Sequence, residues 1–74
     1  MPKVKIHYTL EGQTKVVATL SANVAKLEFI KRGLPGQPAG YEITRMEGSD
    51  GTELTDLSAP PPETVYVTGV IKNK

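Results

Sequence analysis

Chemistry in this chain would have to be assembled from few parts, because His7 is the only histidine and there is no cysteine. In "KVKIHYTL" strand parity sets His7 between Lys5 and Thr9 on the polar side. A general base needs an orienting partner and a nucleophile within reach, and neither stands near it in sequence, so no catalytic residue is assigned. One imidazole without thiolates cannot complete a tetrahedral zinc site. Glu47, Asp50, Glu53 and Asp56 gather around "EGSDGTELTD" and could face a calcium ion. That run lacks the spaced Asp/Asn ligands and closing Glu of an EF-hand, so they read as solvated turn carboxylates and no metal is assigned. The Gly-rich "GLPGQPAG" would cradle a phosphate only ahead of a helix N-terminus with a lysine in place; it runs instead into a strand pattern. The expectation is a non-enzymatic protein without cofactor.

Lys3, Lys5, Lys15, Lys26, Lys31 and Arg32, with Tyr8 or Phe29 as stacking rings, are the parts of a small nucleic-acid-binding barrel. Both rings fall on core-facing positions in the strand reading, so nucleic acid is not the expected partner. Net charge is +1, yet charge is unevenly spread: up to Tyr41 those six cations oppose Glu11 and Glu28, whereas Glu42 to Glu63 carries six acids against Arg45 alone. Such a dipole can orient the approach of a partner. "LPGQP" and "APPP" could enter a proline-reading groove, but prolines in loops chiefly stiffen the chain.

The elements that must position these residues are mostly strands. Val4, Ile6, Tyr8 and Leu10 alternate with Lys3, Lys5, His7 and Thr9, the pattern of a half-buried strand. "EGQT" turns the chain, and Val16, Ala18 and Leu20 give a second inward set, completing a hairpin. "SANVAKLEFIKRG" carries helix punctuation in Ser21, Gly33 and the late Lys31 and Arg32. At about 100° per residue, however, Phe29 falls opposite the stripe Val24, Leu27, Ile30, Leu34. A strand, with Leu27 and Phe29 on one face, keeps the only Phe dry and is the expectation adopted. "GLPGQPAG", with Gly or Pro at five of eight positions, is a surface loop at one end of the fold. "YEITRME" puts Tyr41 and Ile43 inward, "GSDG" turns, "TELTDL" suits an edge strand, and "APPPE" suits a crossover between sheets. "TVYVTGVI" alternates Val65 and Val67 against Tyr66 and Thr68, with Gly69 at a bulge or close approach.

Seventy-four residues support one core, so residues 1–74 are expected to form a single domain, with 71–74 a frayed tail. No apolar stretch is long enough for a signal peptide or a membrane span, which points to the cytoplasm or a virion and to no membrane partner.

Two families resemble parts of the chain. "VVATLS", "AKLEFIKR", "PAGYEITR" and "TVYVTGVIKN" resemble the successive strands of a fibronectin type III or related immunoglobulin-like module, with Phe29 where that family places its core tryptophan and Lys3–Leu10 as an added strand. "TLEGQT", "NVAKLEFIKRGLPG" and "DGTELTDL" are similar to the first turn, the helix end with its following loop, and a later segment of ubiquitin. The second resemblance implies a helix-bearing α+β roll, the β-grasp. It places Leu10, Glu42 and Thr68 at that family's recognition face, and the ending "IKNK" lacks the Gly-Gly needed for conjugation. The reading adopted is an all-β immunoglobulin-like sandwich of about six strands. Its expected function is adhesion to a protein partner or larger assembly, such as a bacteriophage capsid or tail. Contact is expected through Leu34, Pro35, Gln37 and Pro38 and through Ser49 and Asp50, or by adding an edge strand to a neighbour's sheet. The alternatives are a non-conjugated ubiquitin-like regulator or inhibitor docking on an enzyme, and the nucleic-acid-binding barrel. Partner identity and oligomeric state are not written in these patterns.

Overall fold

The computed structural model describes residues 3–72. Strands β1 (Val4–Leu10), β2 (Val16–Ala22), β3 (Tyr41–Gly48) and β4 (Thr64–Ile71) form one sheet in the order β2-β1-β4-β3, and helix α1 (Leu27–Lys31) lies between β2 and β3 in sequence. The described residues thus hold four strands in a single mixed sheet, not the two facing sheets of about six strands expected from the sequence. "TELTDL" contributes only an isolated bridge from Glu53 to Glu47, and "APPPE" leads back into the middle of the same sheet.

β1 and β2 form the expected antiparallel hairpin, closed by Gln13 N–H on the Leu10 carbonyl (3.0 Å), with Gly12 at φ 80°. β1 also pairs with β4 in parallel, Ile6 beside Val65 and Tyr8 beside Val67, and β4 pairs antiparallel with β3. Alternation therefore sends Val4, Ile6, Tyr8, Val65 and Val67 to one face, where all five are buried. Two irregularities interrupt the count. In β2 the register slips by one residue near Val17, so Val16 faces Thr9 and is 42% exposed, correcting its place in the inward set. In β3 an extra residue at Thr44 lets Ile43 and Met46 both turn toward the core while Arg45 pairs with Thr68 on the other face.

The segment expected as a third core strand is corrected to a helix. Leu27 and Ile30, three positions apart, are buried against the sheet together with Val24, while Phe29 on the far side of the helix is 43% exposed. Lys26 is extended and supplies no side-chain cap; nor is Ser21 the cap, since it belongs to β2. The first free N–H groups are met instead by the 57–59 segment, Leu27 N–H to Ala59 O (3.2 Å) and Glu28 N–H to Leu57 O (3.0 Å). Gly33, at φ 94°, stops the helix as its sequence position suggested. The exposed Phe29 ring is met by Arg32, whose guanidinium carbon lies 5.6 Å from its centroid.

Tyr41 closes the core at the end where β3 begins. Its ring meets that of Tyr8 edge-on at 5.2 Å, and its hydroxyl donates to the Thr9 carbonyl at 2.6 Å with the Val67 carbonyl 3.2 Å away. Gly69 makes the close approach expected of it, because a Cβ there would collide with the Glu42 carbonyl oxygen and with the Tyr41 ring. Of the expected tail, Ile71 ends β4 and Lys72 N–H bonds the Gly40 carbonyl at 2.8 Å; residues 73–74 lie outside the described residues.

Candidate functional site

The two loops expected to make contact lie at opposite ends of the sheet. Residues 33–40 lead into Tyr41, which pairs with Ile71 at the end of β4, whereas Ser49 and Asp50 follow Gly48, which pairs with Val65 near its start. Leu34 is half-buried and packs on the core, Pro35 is exposed, and Pro38 is half-buried. Gln37 donates from Nε2 to the Tyr41 carbonyl at 3.2 Å, so this loop is braced against β3. Ser49 and Asp50 form a tight turn in which Gly51 N–H bonds Gly48 O (3.0 Å) and Thr52 N–H bonds Asp50 Oδ1 (3.0 Å). That backbone bond from Thr52 holds the Asp50 carboxyl below its ordinary pKa. The turn also borders an open hollow of about 420 Å³ against Pro60–Pro62.

Three of the four carboxylates near this turn are engaged separately: Glu47 pairs with Arg45 at 2.7 Å, Asp50 accepts from Thr52 N–H, and Asp56 accepts from the Ser58 hydroxyl (2.7 Å) and N–H (3.0 Å). Glu53 joins β3 only through its backbone, at the bridge to Glu47. The Ser58 hydroxyl, then its N–H, keeps the Asp56 carboxyl below its ordinary pKa. Among the described residues no three metal-ligating side chains converge. Of the two rings weighed as a stacking surface, Tyr8 is fully buried, its pKa pushed up by that burial, whereas Phe29 lies exposed on α1 and not in the core position expected of it.

The face of the sheet away from α1 is a polar surface that alternation outlines. His7 is partly exposed there, its Nδ1 3.1 Å from Thr19 Oγ1 and its ring stacked on Tyr66 at 5.1 Å with 20° between planes. The stack follows from the β1–β4 register, in which His7 stands beside Tyr66. Both residues were legible as outward-facing, but their adjacency was not. Thr9 Oγ1 donates to the Val67 carbonyl (3.1 Å) and Thr44 Oγ1 to the Thr68 carbonyl (3.1 Å), so hydroxyls on this face are partly spent on the backbone.

The two edges of the sheet differ. Outside β3, Leu54 N–H reaches Met46 O (2.8 Å) and Gly48 N–H reaches Thr52 O (2.9 Å), so a strap of chain covers the later half of that strand. Outside β2, no described residue adds a ladder. β2 is "VVATLSA", seven residues without a charge or proline, with Val16 and Val17 42% and 43% exposed. Exposed edges are ordinarily blunted by lysine, proline, bulges or cover. Here the slip at Val17 disturbs only the first turn of the strand, and Ala18–Ala22 stays regular. The sequence reading named strand addition as a mode of contact but could not name this strand, because edge position is a property of topology.

No protein-family model matches the chain, and neither a curated protein nor a solved structure matches it. Among the described residues no helix is long and apolar enough to cross a membrane.

Proposed function

We propose that this chain is a non-enzymatic protein-binding or structural module that docks by accepting an extended strand along β2. The observation that carries the reading is the contrast between the edges: β3 is strapped by residues 52–54, whereas β2 presents seven uncharged residues with no ladder outside them. Backbone N–H and C=O groups on such an edge supply affinity, and alternate side chains supply selectivity. The partner is a protein or an assembly, a bacteriophage particle among the candidates. The loop-end mode of contact is less well supported, since Leu34–Pro38 and Ser49–Asp50 lie at opposite ends and cannot form one patch.

For the finer fold and family, the order β2-β1-β4-β3 with its parallel central pair and a helix on one face supports the ubiquitin-like β-grasp over the immunoglobulin-like sandwich. That lends weight to the second reading, a regulator docking on an enzyme. Its recognition face would differ from ubiquitin's, because Leu10, Glu42 and Thr68 offer one apolar residue among three.

A displayed library of random extended peptides tests the docking mode. The expected binders perturb the amide resonances of Val16–Ala22 and are lost on Val17→Lys. Binders that perturb only residues 33–40 or 49–51, or an empty selection, would overturn it.

A further inference from the structure

Two stretches, "LPGQP" and "APPP", carry the residue type that a proline-reading groove requires, and the fold separates them. In the first, Gly36 stands at φ 97° and Gln37 N–H bonds the Leu34 carbonyl (3.0 Å), so the chain turns back and forms no polyproline II helix. The second is the opposite case. Each proline ring sets its own φ near about −65°, and each following ring holds the residue before it extended, so Pro60 and Pro61 are confined to polyproline II on both angles. Their peptide bonds are trans. The segment is also pinned at both ends, the Ala59 carbonyl accepting from Leu27 N–H (3.2 Å) and the Glu63 carbonyl from Lys5 N–H (3.0 Å). Between the pins, no backbone N–H among the described residues bonds the carbonyls of Pro60, Pro61 or Pro62. Pro60 is exposed, while Pro62 rests near Gly48, where an added Cβ would meet its Cγ at 4.0 Å. Hollows of about 420 Å³ and about 270 Å³ both border Pro61 and Pro62, one shared with the 48–54 turn and the other with Lys3, Val4 and Glu63. The rings therefore stand as a ridge between two hollows.

We propose that this ridge is a second docking site, recognised by a partner protein that carries an aromatic-lined groove of the proline-reading kind. The site does not rest on the β2 edge. Three prolines in a row lack N–H groups and cannot join a strand ladder, so strand addition is closed to this segment. What it offers is a fixed array of rings and carbonyl acceptors. Trp and Tyr side chains suit that array, since they can stack on the rings and donate from N–H or O–H to the carbonyls. The 420 Å³ hollow leaves a partner's ring room beside Pro60 and Pro61. Because the shape pre-exists and both ends are anchored, little ordering is lost when the groove closes on it.

Titrating the isotope-labelled intact chain with a panel of isolated SH3, WW and EVH1 domains tests this through amide chemical shifts. At least one domain is expected to bind in the micromolar-to-millimolar range and to move the amides of Glu63 and residues 48–52, while those of Val16–Ala22 stay in place. Pro60→Ala, at an exposed side chain, is expected to keep the native spectrum and weaken binding at least about tenfold. Pro61→Ala is the second variant, expected to act in the same direction, whereas Pro35→Ala and Val17→Lys are expected to leave binding unchanged. An oligoproline peptide in excess is expected to displace the chain, because it competes for the same groove. A panel without a binder, binding that both Pro60→Ala and Pro61→Ala leave intact, shifts confined to residues 33–40 or to β2, or a bound domain that oligoproline cannot displace would overturn the proposal. None of these results bears on the peptide selection at β2, which is scored separately.

Discussion

Tyr41 and Thr9 are joined by a 2.6 Å hydrogen bond from a phenolic hydroxyl to a backbone carbonyl, which ties the first residues of β3 to the far end of β1. The two strands are not sheet neighbours, since β4 lies between them. The bond therefore clamps three strands at one end of the core. Tyr41→Phe keeps the ring against Tyr8 but removes the donor, and is expected to cost about 1–2 kcal/mol in urea unfolding. A variant as stable as the wild type would mean that the clamp contributes nothing net.

Alkaline pH tests the same residue. Burial pushes the Tyr41 pKa up to about 12 and raises that of Tyr8, against about 10 in an unfolded chain. The folded form thus holds these protons more tightly than the unfolded form, a contribution complete below pH ~10 and lost as pH rises through about 12. Urea midpoints are expected to fall between pH 10 and 12, and to fall less steeply in Tyr41→Phe. Equal slopes in both proteins would assign the alkaline loss to other groups.

Phe29 and Ile30 are adjacent in sequence but opposite in environment, 43% and 0% exposed. Phe29→Ala is expected to cost about 1 kcal/mol or less, the scale of a surface cation–π contact with Arg32. Ile30→Ala is expected to cost about 2–5 kcal/mol through lost burial and a cavity. Paired urea titrations distinguish them, and a reversed order would restore the strand in which Phe29 is core.

Gly69→Ala would push a methyl group into the Glu42 carbonyl and to 2.8 Å from the Tyr41 ring. Backbone cannot yield as a flexible side chain does, so a loss of about 3 kcal/mol or failure to fold is expected, the upper end for overpacking. Gly12→Ala is the contrast, having open space around it and only its φ of 80° to strain it. It is expected to cost about 1–2 kcal/mol. Thermal melts of the two variants rank them directly.

The sequence made β1 and β4 readable because each alternates without interruption, and it made the first hairpin readable because Gly12 punctuates it. It misled at Val16 and at Phe29 for physical reasons. One extra residue near Val17 shifts parity with no mark in composition. Phe29 could be released to solvent because Leu27, Ile30 and Val24 already supply the helix with a buried side, and carbonyls 57–59 supply its first bonds. The parallel union of β1 with β4 joins residues far apart in the chain, so no local pattern announced it. The His7–Tyr66 stack and the bare flank of β2 both follow from that union, and were unreadable for the same reason.

That union also sets a timetable. Thr9 bonds Val67, its neighbour in space 58 positions later, and both β1 and β3 pair with β4, so only the β1–β2 hairpin can close before β4 is made. Until β4 is made the early hairpin waits with Ile6 and Tyr8 short of their central neighbour, which makes folding slow relative to a helical domain of this size.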